Sequence, residues 1–156
     1  MKEKHEGGAA GPMDVRVWLR MLSCTMTIEK TLRRNFLETF NTTLPRFDVM
    51  ASLDRHARGQ TMGQLSRALL VSNGNVTAIV RQLEDSGLVE RRSDPDDRRS
   101  FIVMLSEEGK TEFKRLAAAH HVWIAEAFAN VSPTTLAQLY EQLAELKISI
   151  AGEGQP

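Results

Sequence analysis

The sequence predicts a mainly α fold with one small β-hairpin, and three observations predict it. Apolar residues recur at intervals of three and four over six separate stretches, the signature of amphipathic helices. Between the fourth and fifth stretches, two short runs, Leu88-Val89-Glu90-Arg91-Arg92 and Phe101-Ile102-Val103-Met104-Leu105, flank a segment rich in turn residues. The first, fifth and sixth stretches are long for a chain of 156 residues, so they are scaffold or pairing elements.

Bulk composition sets the frame. The length suits one domain with a real core. A hydrophobic fraction of 42% and a charged fraction of 26% are ordinary for a soluble protein. Cys24 stands alone, which excludes an internal disulfide framework and fits a reducing compartment. No apolar run is long enough to span a bilayer and the N-terminus has no signal-like core, so the expected location is cytoplasmic, with no membrane partner. Net charge is zero, whereas nucleic-acid binders usually carry a basic excess. Residues 100–156 hold four Lys/Arg against seven Asp/Glu, so any basic face must be assembled in three dimensions.

Residues 1–12, with three Gly and a Pro, read as a disordered leader before a single domain over 13–156. Asp14 is a plausible N-cap. Val15, Trp18, Leu19, Leu22, Met26, Ile28, Leu32, Phe36 and Phe40 then mark one long helix over 14–41, stopped by Asn41-Thr42-Thr43. Thr43 and Pro45 begin a second helix with Phe47, Met50 and Leu53 inward and Gly59 at its end. Thr61 caps a short third helix with Met62, Leu65, Ala68 and Leu69 inward, and Val71 fills the turn. Ser72 caps a fourth helix that buries Val76, Ile79 or Val80, and Leu83; Gly87 suits the left-handed position after it.

Two short helices joined by a tight turn, the second opening with Ser72-Asn73-Gly74-Asn75, meet the physical specification of a helix-turn-helix. The outer face of the second helix offers Asn73, Asn75, Thr77, Ala78 and Arg81. Asn pairs bidentately with adenine and Arg with guanine, while Ala and Thr methyls touch the thymine methyl. Ser72 and the free N–H groups of the first turn can hold a phosphate.

The hairpin follows this helix directly, where a winged helix places its wing. Its turn, Asp94-Pro95-Asp96-Asp97-Arg98-Arg99, carries two arginines that can reach a phosphate or a narrow minor groove. The neighbouring aspartates can orient them by bidentate pairing. The fold class is therefore mainly α with a small β-hairpin wing: a winged helix-turn-helix over 44–105, with N- and C-terminal dimerisation helices over 14–41 and 106–150.

From Leu44 to Gly109 the sequence closely resembles the core of the MarR (multiple-antibiotic-resistance regulator) family. The matching pieces are Ser72, Val80, Leu83-Glu84, Gly87-Leu88-Val89-Glu90-Arg91, the wing signature Asp97-Arg98-Arg99, and Val103-Met104-Leu105-Ser106-Glu107-Glu108-Gly109. The last piece usually reads Leu-Thr-x-x-Gly in that family, and Ser106 keeps the hydroxyl. The resemblance implies an obligate homodimer on double-stranded DNA, a palindromic operator and release by a small-molecule effector. It implies Ser72 to Arg81 as the major-groove reader, Asp97 and Arg99 as the wing pair, and Arg98 or Arg99 in the minor groove.

The C-terminal part points to the dimer independently. Ser106 caps a helix over 107–129 with Phe113, Leu116, Ala117, His120, Trp123, Ile124, Ala127 and Phe128 inward. Ser132-Pro133 starts the last helix, striped by Leu136, Leu139, Tyr140, Leu143, Leu146 and Ile150. One small winged helix cannot cover all of these; a second chain can, and a twofold sets two reading helices roughly 34 Å apart.

Three groups are candidates for sensing. A lone Cys24 in a helix is more often a small buried hydrophobe than a redox centre; a cysteine-based redox-sensing regulator is the alternative it offers. His120-His121, His56 and His5 lack metal-ligand spacing, so no metal and no cofactor is expected. In relatives the effector lies between the dimerisation helices and the winged helix; here Trp18, Leu22, Phe47, Met50 and Trp123 can line such a pocket, with Arg20, Arg46 or His120 for a carboxylate or phosphate. Leu44-Pro45-Arg46-Phe47-Asp48 and the Ser72-Asn73-Gly74-Asn75 start also resemble members that regulate aromatic-acid catabolism, some answering to acyl-CoA thioesters. Repression is the commonest outcome of such binding, with activation open. A winged helix serving a protein partner is the second class of reading. No nucleophile–base constellation, phosphate loop or metal spacing supports an enzyme.

Overall fold

The computed structural model describes residues 11–69 and 73–152, with backbone alone for 73 and 74. Most of the expected leader, His5, Val71, the Ser72 cap and the Asn73 side chain lie outside the described residues. The elements are α1 (Met13–Phe40), α2 (Leu44–Asp54), β1 (Gln60–Thr61), α3 (Met62–Leu69), α4 (Asn73–Asp85), β2 (Val89–Ser93), β3 (Phe101–Leu105), α5 (Glu107–Ala127) and α6 (Pro133–Ala151). None of the described helices is long and apolar enough to cross a membrane. The chain divides into two compact units, residues 1–121 and 122–156.

Most helix starts follow from hydroxyl caps, as the sequence suggests. Thr43 accepts the Arg46 N–H, with Pro45 in the first turn of α2. Ser106 Oγ accepts the Gly109 N–H at 3.0 Å, and Ser132 accepts the Thr135 N–H at 3.1 Å. At α3, Thr61 Oγ1 accepts the Gln64 N–H while Gln64 Oε1 accepts the Thr61 N–H, a reciprocal capping box. Asp14 is the exception. The helix begins after Pro12, which sits in an extended conformation and makes no side-chain cap. Asp14 falls in the first turn, where its charge still complements the helix dipole.

One helix end also differs from expectation. α2 closes at Arg55, and Gly59 follows as a turn residue with φ +86°. A Cβ at Gly59 would lie 2.8 Å from the Val103 carbonyl oxygen, so glycine both turns the chain and allows this close approach. The approach delivers β1, which the sequence reading did not anticipate. Gln60 pairs with Val103 and Thr61 with Ile102, giving a three-stranded antiparallel sheet in the order β1-β3-β2. Two residues are too short for a periodic signal. Gln60 is buried, and its Oε1 accepts the Ser52 hydroxyl at 2.9 Å.

The core of the first unit takes Leu32 and Phe36 from α1, Leu44, Phe47, Val49, Met50 and Leu53 from α2, and Leu65 from α3. Val76, Ile79, Val80 and Leu83 from α4, Val89, Val103 and Leu105 from the sheet, and Leu116 from α5 complete it. Ala68, expected inward, is exposed. With about 3.6 residues per turn, Met62 and Leu69 fall between Leu65 and Ser66 on the buried arc, and Ala68 falls beyond its edge. Aromatic rings tie α1, α2 and α5 together: Phe47 lies 4.8 Å from Phe36, 5.7 Å from Phe113 and 4.7 Å from the His120 ring.

The apolar stripe of α1 is buried only near its C-terminal end. Val15, Trp18, Leu22 and Met26 are exposed, Trp18 by 57%. Cys24 is exposed as well, against the expectation of a buried thiol. In the second unit, α6 buries none of its residues; Leu136, Leu139, Tyr140, Leu143 and Ile150 all face outward. Ala127, expected inward, is exposed at the end of α5.

Candidate nucleic-acid interface

α4 sorts its residues cleanly. Val76, Ile79, Val80 and Leu83 hold it on the core, so both residues of the Ile79/Val80 choice are buried. Asn75, Ala78, Arg81 and Gln82 are exposed on the other face, and Thr77 is half-buried at its edge. Gln82 is an addition that helical periodicity from Ala78 and Arg81 would have supplied.

The C-terminus of α4 is closed by a Schellman motif. The Leu88 N–H donates to the Leu83 carbonyl at 2.9 Å and the Gly87 N–H to the Glu84 carbonyl at 2.9 Å, with Gly87 at φ +72°. Ser106 locks this turn from outside. Its backbone N–H donates to the Leu88 carbonyl at 3.0 Å and its hydroxyl to the Gly87 carbonyl at 2.6 Å. The first turn of α5 and the last turn of α4 are thus joined through three residues.

β2 and β3 pair from Val89↔Leu105 at the base to Ser93↔Phe101 below the tip. The tip is shaped by its own acids. Asp94 Oδ1 accepts the Asp96 N–H, Asp97 Oδ1 accepts the Arg99 N–H, each at 2.9 Å, and Ser100 Oγ donates to Asp94 Oδ2 at 3.1 Å. The bidentate Asp–Arg pairing that the sequence allows is absent among the described residues. Local Asx turns bring these carboxylates to backbone N–H groups instead. Arg98 and Arg99 are exposed and make no ion pair among the described residues. Midway along the wing, Arg91 Nε donates to Glu84 Oε1 and its guanidinium lies 4.3 Å from the Phe101 ring centroid.

Residues 42–101 match the MarR family. Over 112 residues, 71% of this chain and 70% of the relative, the sequence is 34% identical to YkoM of Bacillus subtilis, described as an uncharacterised HTH-type transcriptional regulator. A MarR family transcriptional regulator from Silicibacter pomeroyi is 33% identical, and its crystal structure superposes with a TM-score of 0.75 over 88% of this chain and 94% of that one. The chain belongs to the MarR family. It is a DNA-binding transcriptional regulator built on a winged helix, and its relatives are regulators, not enzymes. The transcriptional activatory protein BadR of Rhodopseudomonas palustris is 32% identical over 65% of this chain and 59% of that protein.

The residues suggested for an effector fall at several places along this MarR-family chain. Phe47 and Met50 are core residues. His120 stacks on Phe47 and, at 6.3 Å, on Phe36; burial pushes its imidazole below the ordinary range, with the neighbouring His121 adding to the effect. Trp18, Arg20 and Leu22 lie on α1 roughly 20–27 Å along the helix from Phe36. Trp123 belongs to the second unit. Arg46 is half-buried beside Phe47 in sequence; its Nη2 donates to Ser86 Oγ at 3.3 Å, and its Nε is buried with no partner among the described residues. A separate recess of about 430 Å³ is lined by Leu88, Glu107, Glu108, Thr111 and Glu112. Its three acids make it a poor place for an anion.

Proposed function

We propose that this regulator acts as a homodimer on a palindromic operator, mostly as a repressor, with release by a small-molecule effector. α4 enters the major groove with Asn73, Asn75, Thr77, Ala78 and Arg81, and Ser72 holds a phosphate at its start. Asp97 orders the wing so that Arg98 and Arg99 meet the adjacent minor groove. One observation carries the DNA-contact reading: the two tip arginines are exposed and make no ion pair among the described residues, while Asp94 and Asp97 each accept a backbone N–H. Cations in that state lose little when they meet phosphate or a narrow minor groove.

Support for the dimer comes from α1 and α6. Val15, Trp18 and Met26 on one, and Leu139, Tyr140, Leu143 and Ile150 on the other, are apolar side chains left in water by a single chain. For the effector, the class suggested is an aromatic acid or its CoA thioester. The buried Arg46 Nε, which has no partner among the described residues, is the one observation that favours an anionic ligand. The mechanism is linkage: a ligand that favours a different spacing of the two α4 helices weakens DNA binding by its difference in affinity for the two forms. The sign of regulation follows from where the operator lies relative to polymerase.

The test is a hydroxyl-radical footprint on a duplex enriched from a random library by the protein itself. The reading expects two protected patches related by a twofold, about one helical turn apart, flanked by minor-groove protection that Arg99→Ala removes. A single asymmetric patch, or flanks indifferent to Arg99, would contradict it.

A further inference from the structure

The wing carries a charged residue where its strand pattern calls for an apolar one. Alternation places Val89, Arg91 and Ser93 on one face of β2, opposite Leu105, Val103 and Phe101 of β3. Val89, Val103 and Leu105 are buried on that face. Arg91 therefore stands on the core side of the sheet, at the rim between the packed base and the tip. Its side chain is 36% exposed and that of its partner Glu84 is 22% exposed. The guanidinium meets the Glu84 carboxylate through Nε and lies over the Phe101 ring, and lysine could keep the charge but not the planar stack. Three elements meet there: Glu84 on the last turn of α4, Arg91 in β2 and Phe101 at the start of β3.

This contact lies on the tip side of the only covalent link between α4 and the wing, Ser86 to Leu88. The link anchors one end of the hairpin to the helix, and the Glu84–Arg91–Phe101 contact is a second anchor displaced toward the tip. The buried base of the wing and the Ser106 bonds hold the hairpin near the link, and this contact adds a restraint nearer the tip.

We propose that Arg91 is a positioning residue for DNA recognition. Through Glu84 and Phe101 it fixes the angle between α4 and the wing, and so determines where Arg98 and Arg99 fall when α4 occupies the major groove. The proposal rests on the assignment of α4 and the wing as the DNA-reading elements. Arg91 itself need not touch DNA.

A double-mutant cycle tests it. The probe is the duplex enriched by the wild-type protein, and the variants are Arg99→Ala, Arg91→Met and their combination. Met keeps an aliphatic side chain and removes both guanidinium contacts, to Glu84 and to Phe101. In the wild-type background, Arg99→Ala should weaken binding by about tenfold. In the Arg91→Met background the same change should cost less than about threefold, because a misplaced tip has little left to lose. Glu84→Gln, on the other side of the pair, should reproduce this non-additivity without altering any residue of the wing, and it serves if Arg91→Met does not fold. Arg91→Lys should restore only part of the Arg99 effect, since it keeps the charge and loses the planar stack. Equal Arg99 effects in all backgrounds would overturn the positioning role while leaving the wing as a DNA contact. No Arg99 effect in the wild-type background would overturn the wing assignment itself, and the proposal with it.

Discussion

Gly109 of α5 lies against the backbone of Leu88. A Cβ built on Gly109 would overlap the Leu88 carbonyl oxygen and sit 2.9 Å from its carbonyl carbon. The first turn of α5 is thereby seated on Leu88, in the turn between α4 and β2. The contact needs the absence of a side chain, and no flexible neighbour can give way.

Gly109→Ala should therefore reverse the usual sign of such a change. In an ordinary helix interior, Gly to Ala stabilises by up to about 1 kcal/mol. Here it should destabilise by about 1–3 kcal/mol through forced backbone movement, lowering the melting temperature by several degrees in a thermal unfolding scan. An unchanged or raised midpoint would show that the α5 start is not held as tightly as the geometry requires.

Ser106→Ala removes two hydrogen bonds at the same joint, the cap on Gly109 and the bond to the Gly87 carbonyl. A loss of about 1–2 kcal/mol is expected in denaturant titration. Thr, which keeps the hydroxyl, should restore most of it.

His120 gives a pH dependence with a definite sign. Burial lowers its pKa from the ordinary value of 6.5, so the folded chain binds this proton less readily than the unfolded one. Its stabilising contribution is complete above the unfolded pKa and is lost as pH falls below it, levelling off beneath the folded value. Between pH about 7.5 and about 5.5 the wild type should lose more stability than His120→Phe, which keeps the stack on Phe47 without the titration. Parallel pH profiles for the two proteins would exclude His120 as the source.

The exposed apolar residues of α1 and α6 predict a dimer at micromolar concentration by sedimentation. Replacing Leu139 and Leu143 with Glu should shift the population to monomer, because each carboxylate would have to be buried in a pairing face. A wild-type monomer would remove the twofold from the account.

Much of this architecture was legible because helices of this length announce themselves. The stripe from Val15 to Phe40, the Thr43-Pro45 and Ser132-Pro133 starts, and Gly87 after α4 each combine a periodic signal with a local stop or start. The readings that differed involve competition between neighbours. Pro12 took the helix entry from Asp14, and Asx turns took the wing carboxylates from the arginines. β1 has two residues and no periodicity; only the close approach at Gly59 reveals it. For the interface, the outward face of α4 followed from simple spacing. The Glu84–Arg91–Phe101 contact did not, although an arginine at an inward position of β2 was the available signal. For an effector, the sequence offers apolar, aromatic and cationic side chains but no spacing that says which of them share a cavity.

The central claim is that α4 and the wing read DNA by sequence. Fluorescence anisotropy with the promoter fragment upstream of the protein's own gene, against a scrambled duplex at two salt concentrations, tests it most directly. Tight binding to one duplex only is expected, with affinity falling as salt rises and a shallower salt slope, by about one unit, in Arg99→Ala. Equal weak binding to that fragment, to duplexes enriched from a random library and to the scrambled control would contradict it, and would point to a winged helix that serves a protein partner.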